Sequence, residues 1–332
     1  MALLEVSQLQ LTLATPRGPA VAVRGMDFSL ERGATLGIIG ESGSGKSLTA
    51  MALMGLLPEH AQLSGSIRFD GRELIGLRES ERSALRGNRM AMVFQEPMTA
   101  LNPLHRIGRQ VAEPLRRHRG LDAAAARRQA VALLDRVGIA DAARRADAYP
   151  HEFSGGQRQR ITIAMALACE PDLLIADEPT TALDVTIQQQ ILDLISDLVD
   201  ERGMALLLIS HDLAVVSQNV DQMLVMYGGT VVESGPTEAI FGHLGHPYTR
   251  ALLAARPQLG AAQQRLPTIA GSVPALGEMP PGCPFAGRCA HTIDPCTRQR
   301  PPAVRVDGAA DHWTRCVRPE VVQTPSAVSA PP

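Results

Sequence analysis

The sequence is poor in lysine, in aromatic side chains and in long apolar runs. Lys46 is the only lysine among 332 residues, and the other 31 of the 32 basic residues are arginine. Aromatic residues make up 3% of the chain, which argues against a surface for base stacking. The net charge is −2, which argues against an overall positive field that attracts nucleic acid. No apolar run approaches the roughly 18 residues that span a membrane, and the first residues do not resemble a signal peptide. We therefore expect a cytoplasmic globular protein that has no nucleic-acid partner and reaches a membrane only through other proteins.

The one lysine lies in a glycine-rich stretch, residues 40–47, that matches the G-x-x-x-x-G-K-S pattern of phosphate-binding loops. The apolar run 35–39 before it predicts a buried strand, and 48–57 predicts a helix that Pro58 ends. Helix N-termini attract anions, so we expect Lys46 to contact the β- and γ-phosphates and Ser47 to ligate Mg²⁺. The residues predicted to bind ATP here are Gly40, Glu41, Ser42, Gly43, Ser44, Gly45, Lys46, Ser47 and Leu48.

Two acids end a second apolar run, residues 173–176. Asp177 is predicted to hold Mg²⁺ together with Ser47. Glu178 then follows as the candidate general base that polarises the attacking water.

Two further polar residues end predicted strands. His211 comes shortly after the apolar run 206–209, at an edge that faces the ligand crevice of an open α/β sheet, and is expected to contact the γ-phosphate. Gln95 follows the run 92–94, and its amide is predicted to reach Mg²⁺ or the attacking water. From spacing alone, an ordinary polar strand end remains the alternative for Gln95.

A second candidate anion site precedes a predicted helix that starts near residue 155. Ser154 is expected to cap this helix, and Gly155, Gly156 and Gln157 follow it. A second phosphate-binding helix terminus beside a single phosphate loop is explained if it serves the ATP of another subunit.

In this order the motifs resemble those of the ATP-binding cassette (ABC) ATPases. The resemblance takes in the loop 40–47, Gln95, the signature 154–157, the acids 177–178, the D-loop 182–184 with Asp184, and His211. It implies an α/β P-loop NTPase fold: a mixed core sheet, an N-terminal antiparallel β-subdomain and an inserted helical subdomain. It also implies ATP hydrolysis in a head-to-tail dimer.

The predicted domain organisation follows from this resemblance. Residues 1–255 form the cassette, with the helical subdomain and the signature at about 96–165. Residues 256–322 form a cysteine- and proline-rich extension, and residues 323–332 form a disordered tail.

A narrower resemblance links the chain to the ATPases of dipeptide, oligopeptide and nickel importers, through residues 95–103, 246–249, 266–271 and 282–289. It implies two membrane-spanning permease subunits, a second, non-identical ATPase and an extracytoplasmic solute-binding protein. The chain would lie at the cytoplasmic face of the inner membrane. The sequence does not identify the solute: di- and oligopeptides are expected, with nickel, glutathione and opines as alternatives. A soluble ABC ATPase is the less favoured function, because the segment between Gln95 and Ser154 leaves no room for a long coiled coil.

In one respect the chain departs from that family, which places an aromatic residue near the N-terminus to stack on adenine. The comparable stretch, residues 11–15, has none. We expect an aliphatic side chain such as Leu13 to cover the base instead.

Four of the five cysteines lie in the predicted extension: Cys283, Cys289, Cys296 and Cys316. Cys169 lies in an apolar helical pattern and is expected in the core. A cytosolic disulfide framework is not expected. Four thiolates suit a [4Fe–4S] cluster, which some importers of this class carry in a matching tail, or a zinc ion. The cluster is favoured because C-x₂₋₄-C zinc knuckles are lacking, and unliganded thiols are the third alternative.

Overall fold

The computed structural model describes residues 2–181, 183–255, 268–306 and 311–322. Its strands are β1 (Ala2–Thr15), β2 (Gly18–Glu31), β3 (Thr35–Ile39), β4 (Gln62–Phe69), β5 (Arg72–Glu73), β6 (Met90–Val93), β7 (Leu173–Asp177), β8 (Ala205–Ser210), β9 (Gln222–Tyr227), β10 (Thr230–Pro236), β11 (Val304–Arg305) and β12 (Trp313–Thr314). Its helices are α1 (Lys46–Met54), α2 (Glu79–Leu85), α3 (Pro97–Ala100), α4 (Ile107–Arg119), α5 (Ala123–Arg136), α6 (Ala142–Arg145), α7 (Gly155–Ala166), α8 (Val185–Arg202), α9 (Leu213–Asn219), α10 (Thr237–Gly242), α11 (Pro247–Ala254) and α12 (Asp294–Arg298).

The strands form two sheets, as the mixed α/β prediction requires. A small antiparallel sheet has the order β2-β1-β4-β5, and the large sheet has the order β11-β12-β10-β9-β3-β8-β7-β6. In the large sheet, β9, β3, β8, β7 and β6 are parallel, and β10, β12 and β11 join antiparallel. The parallel strands β7 and β8 are buried throughout, which explains their continuous apolar sequences.

The large sheet separates two apolar clusters. Along β7, Leu174 and Ala176 pack into the cluster shared with the helical region, and Leu173 and Ile175 pack into the cluster shared with the β1–β2 hairpin and α1. This alternation is the period of two that a strand buried on both faces must show. The helices α3 to α7 lie between Pro97 and Ala166.

Several predicted boundaries differ from the structure. The strand predicted to include the run 92–94 ends at Val93, so Gln95 lies just beyond it. The helix predicted at 48–57 begins at Lys46 and ends at Met54, because Gly55 takes a left-handed conformation that caps it before Pro58. Residues 256–267 and the predicted disordered tail 323–332 lie outside the described residues.

The short strands β11 and β12 were not expected in the extension. β12 pairs with β10 at residues 313 and 314, which adds the extension to the edge of the large sheet. The contact is anchored by Glu233, which is fully buried and accepts hydrogen bonds from His312 Nε2 at 2.8 Å and from the backbone N–H groups of Gly245 and His246 at 2.6 and 3.0 Å. A buried carboxylate with this many donors holds separate segments together.

No helix in the described residues is both long and apolar enough to cross a membrane.

Gly37 in the central strand β3 leaves room for helix α9. A Cβ atom at this position would lie 2.1 Å from Cγ1 of Val216. We expect Gly37→Ala to lower the free energy of unfolding by about 1–3 kcal/mol through overpacking. The measurement is chemical denaturation, with Gly242→Ala as the control because its Cβ would meet open space. Equal stability of both variants would contradict this packing.

Candidate functional site

The phosphate loop connects the end of β3 to the start of α1. Gly43 and Gly45 have φ angles of 80° and 99°, a region that favours glycine, so the loop can curl before the helix begins. A Cβ atom on Gly45 would also lie 3.1 Å from the carbonyl oxygen of Ala22. The strand–loop–helix arrangement predicted for residues 35–57 is therefore present.

The Lys46 ammonium lies inside this loop, with the residue 4% exposed. Its Nζ donates hydrogen bonds to the carbonyl oxygens of Gly40 at 2.6 Å and Glu41 at 3.2 Å. Burial lowers the pKa of Lys46, and the charges of Glu178 and Asp177 act against that shift. A charged donor fixed at the centre of a helix N-terminus suits a polyanionic ligand.

Ser47 and Asp177 meet as their sequence positions predicted. Ser47 Oγ donates to Asp177 Oδ1 at 3.0 Å. Burial raises the pKa of Asp177, and the hydrogen bond from Ser47 opposes that shift. A hydroxyl and a carboxylate at the phosphate loop are hard oxygen ligands of the kind that Mg²⁺ takes, so these two residues fit the expected cation.

Glu178 is the point at which the remaining predicted side chains converge. Its carboxylate lies 3.8 Å from Lys46 Nζ, accepts from Gln95 Nε2 at 3.2 Å and accepts from His211 Nδ1 at 3.2 Å. Thr181 Oγ1 also donates to it at 3.0 Å. The strands β3, β8, β7 and β6 are neighbours in the sheet, and they are followed by Lys46, His211, Glu178 and Gln95, respectively. Each strand therefore contributes one group to the same edge.

The electrostatics keep Glu178 ionised. The hydrogen bond from His211 lowers the pKa of Glu178, and the bond from Thr181 and the charge of Lys46 act in the same direction. The same pair raises the pKa of His211. Glu178 also has a φ of 46°, a conformation that is uncommon for a residue with a side chain and that clusters at functional sites. The carboxylate is thus unprotonated and 11% exposed, as a general base requires.

The signature residues lie on a different surface. Ser154 caps α7, with its Oγ accepting from Gln157 N at 3.3 Å, and Gln157 Oε1 accepting from Ser154 N at 3.2 Å. Gly156 packs against the start of α8, where a Cβ would lie 2.8 Å from Cγ2 of Ile187. Asp184 caps α8 by accepting from Ile187 N at 3.0 Å. In the described residues no hydrogen bond joins residues 154–157 to the phosphate loop.

The four cysteines of the extension line one small cavity. Its volume is about 20 Å³, it is lined by Cys283, Cys289, Cys296 and Cys316 among other residues, and all four are free thiols. Burial raises the pKa of Cys283 and that of Cys316 to about 11 each, so both are protonated at neutral pH. Across residues 2–181, 183–255, 268–306 and 311–322, however, no three His, Cys, Asp or Glu side chains form a group that could hold a metal ion. The four thiols predicted to bind a metal therefore share a cavity, but in the described residues they do not form a group of metal ligands. Cys169 is buried among the core residues, as expected.

Three residues at the site were not assigned roles from the sequence. Thr181 contacts Glu178, while Tyr248 and Arg288 contact the phosphate loop through Glu41. The signal for Tyr248 was its rarity, because the chain has only three tyrosines. Leu13, the expected cover for the base, packs partly into the core beneath the hairpin.

This fold is that of an ATP-binding cassette. Residues 23–181 match the ABC transporter family, and residues 232–296 match the C-terminal region of oligopeptide/dipeptide transporters. A solved dimeric structure of the cassette MJ0796, in a post-hydrolysis state with ADP and Pi, has a TM-score of 0.63 and 27% identity, covering 70% of this chain and 98% of that one. The structure of cbiO1 from Clostridium perfringens has a TM-score of 0.61 and 28% identity, covering 73% and 91%.

Within that class, the chain belongs to the family of ABC ATP-binding proteins of the oligopeptide type. The oligopeptide transport ATP-binding protein OppD of Salmonella typhimurium is 49% identical over 299 residues, which cover 90% of this chain and 89% of that protein. OppD of Mycobacterium bovis is 49% identical over 327 residues, which cover 98% of this chain. The present chain spans about half (53%) of the length of the mycobacterial relative.

The His211–Glu178 pair should set the acidic limit of turnover. His211→Ala removes the hydrogen bond that lowers the pKa of Glu178, so we expect this pKa to rise towards its ordinary value of 4.5, and burial acts in the same direction. The acidic limb of the kcat–pH profile should therefore move to higher pH. The comparison is made after each profile is normalised to its own maximum. His243→Ala, an exposed control, should leave the limb in place. An unmoved limb in His211→Ala would contradict the role of this hydrogen bond.

Proposed function

We propose that this chain is the ATP-hydrolysing subunit that energises a membrane ABC importer of di- and oligopeptides. The observation that carries the proposal is the convergence of Lys46, Gln95 and His211 on Glu178, beside the contact of Ser47 with Asp177. The names of the oligopeptide transport relatives support peptides as the solute, ahead of nickel, glutathione or opines.

The chemistry proposed for the site is hydrolysis of the bond between the β- and γ-phosphates. Lys46 and the N–H groups of residues 40–48 bind the phosphates, and Ser47, Asp177 and Gln95 hold Mg²⁺, which neutralises phosphate charge when bound. Glu178 accepts a proton from the attacking water as the oxygen bonds to the γ-phosphorus and ADP leaves. His211 keeps Glu178 ionised and contacts the γ-phosphate.

We propose that the site is completed by the signature of a second ATPase subunit. Ser154 and Asp184 are exposed, and they lie on a surface with no hydrogen bond to the phosphate loop within the described residues. Val185, at the start of α8, is an apolar side chain that is 81% exposed, as a residue in a subunit interface would be in one chain alone. Two chains in head-to-tail contact would bring Ser154, Gly155, Gly156 and Gln157 of one to the ATP of the other. The proposed partners are a non-identical ATPase, two membrane-spanning permease subunits at the cytoplasmic face of the inner membrane and, indirectly, an extracytoplasmic binding protein.

Glu178→Gln tests the role of the base. We expect this variant to bind ATP and remain dimeric while its turnover falls by about 10²-fold or more, because the amide cannot accept the proton. With the full chain assembled with its permease in vesicles, ATP-driven uptake of a labelled oligopeptide should stop. Glu238→Gln, an exposed acid in α10, is the control and should retain both activities. Wild-type turnover in Glu178→Gln would remove Glu178 as the base, and uptake of labelled nickel in place of peptide would change the solute.

We further propose that Cys283, Cys289, Cys296 and Cys316 hold a [4Fe–4S] cluster. The support is their common cavity, and four cysteine thiolates are the usual ligands of such a cluster. Binding would require these thiols to lose protons, so cluster content should fall at acidic pH.

Metal analysis of the anaerobically purified full chain tests this proposal. We expect iron and acid-labile sulfide in equal amounts, with absorbance at about 400 nm. Cys289→Ser should lose the iron, whereas Cys169→Ala, which changes the buried cysteine of the cassette core, should keep it. Protein with zinc in place of iron, or with no metal at all, would contradict the cluster.

A further inference from the structure

The extension contacts the phosphate loop directly through Arg288 and Glu41. Arg288 Nη1 lies 2.6 Å from Glu41 Oε2, and Nη2 lies 3.1 Å from Glu41 Oε1, so the ion pair is bidentate. The two residues are far apart in the sequence: Glu41 is the second residue of the loop, and Arg288 precedes Cys289. Bidentate arginine–carboxylate pairs are strong and fix the relative orientation of both groups.

The Arg288 side chain is 7% exposed, and its position is determined by several other contacts. Its Nε donates to the carbonyl oxygen of Ala270 at 2.8 Å, and Nη2 donates to that of Ile269 at 3.2 Å. The guanidinium also lies 5.7 Å from the ring centre of Tyr227. A guanidinium held in this way loses little further freedom when it pairs with a carboxylate.

The other polar groups of Glu41 are also engaged. Its N–H donates to the hydroxyl of Tyr248 at 2.8 Å, and its carbonyl oxygen accepts from Lys46 Nζ at 3.2 Å. Tyr248 is fully buried and packs edge-on against Tyr227, with ring centres 4.8 Å apart. One end of the phosphate loop is therefore held by side chains from outside the loop and its flanking helix.

The carboxylate of Glu41 poses an electrostatic problem for a loop that binds a triphosphate. A negative charge in the loop repels the phosphates, and like charges at short range in a partly buried site are destabilising. We propose that Arg288 is a positioning residue that neutralises Glu41 and holds this end of the loop, so that the extension sets the affinity of the chain for MgATP. This inference rests on the proposed function of the loop as an ATP site.

A second ion pair between the cassette and the extension provides a matched contrast. Arg17 Nη1 lies 2.6 Å from Glu278 Oε1, but these side chains are 83% and 56% exposed. An exposed pair of this kind contributes little, and neither residue belongs to the phosphate loop. Removing the Arg17–Glu278 pair therefore breaks a link between the cassette and the extension without changing the charge balance at Glu41.

The test is a double-mutant cycle on the full chain, read as the dissociation constant of MgATP in competition with a fluorescent ATP analogue. We expect R288Q to weaken binding about tenfold, because it leaves the Glu41 charge uncompensated. In the E41Q background the same R288Q change should weaken binding less than about threefold, because no carboxylate remains to be neutralised. The turnover at saturating ATP should change less than KM, since neither residue contacts Glu178.

Two variants provide the controls. E278Q, which removes the exposed pair, should leave MgATP affinity unchanged. R288K keeps the charge but not the bidentate geometry, and about a threefold loss is expected. Should R288Q fail to fold by circular dichroism, R288A, which also removes the charge, takes its place in the cycle with E41Q.

The outcomes separate this inference from the proposed function. Wild-type protein that binds no MgATP would overturn the proposed function. If the wild-type protein binds MgATP but R288Q weakens MgATP binding equally in the wild-type and E41Q backgrounds, the inference alone is overturned. An affinity of R288Q, or of R288A in its place, that equals the wild-type value would also overturn it.

Discussion

The close approach of one ammonium and one carboxylate is the interaction on which this site depends. Lys46 Nζ and Glu178 Oε1 lie 3.8 Å apart, although Lys46 follows β3, Glu178 follows β7, and β8 runs between those strands. The distance is set by the order of the strands, because the parallel strands end at one edge and His211 follows the strand between them. The buried sheet and its two apolar faces therefore position both charges, and any shift of β8 would be transmitted to the pair.

The third apolar cluster makes the extension a part of the nucleotide-binding region. This cluster contains the buried residues Tyr227 from β9, Tyr248 from α11, and Phe285 and Cys283 from the extension. Arg288 of the extension forms its ion pair with Glu41. The buried His312–Glu233 pair holds β12 against β10. The cassette and the described part of the extension therefore share a core as well as a surface contact.

The sequence predicted the cassette well because local patterns carry its main features. Apolar runs that end in polar residues located β3, β7 and β8, and the motif spacing placed Lys46, Asp177 and Glu178 at the same edge. It did not predict the contacts of Arg288, because an ion pair between residues 41 and 288 depends on how the extension folds back. β11 and β12 were missed for a related reason: a strand of two residues has no periodicity, and its pairing with β10 decides its conformation.

The single lysine has a practical consequence for the chemistry of this chain. Reagents that acylate side-chain amines have one target among the 332 residues, and that target lies 4% exposed at the base of the loop. Arginine elsewhere supplies solubility and ion pairs without offering such reagents a competing side chain. Mass added at Lys46 would therefore report directly how often the loop opens to solvent.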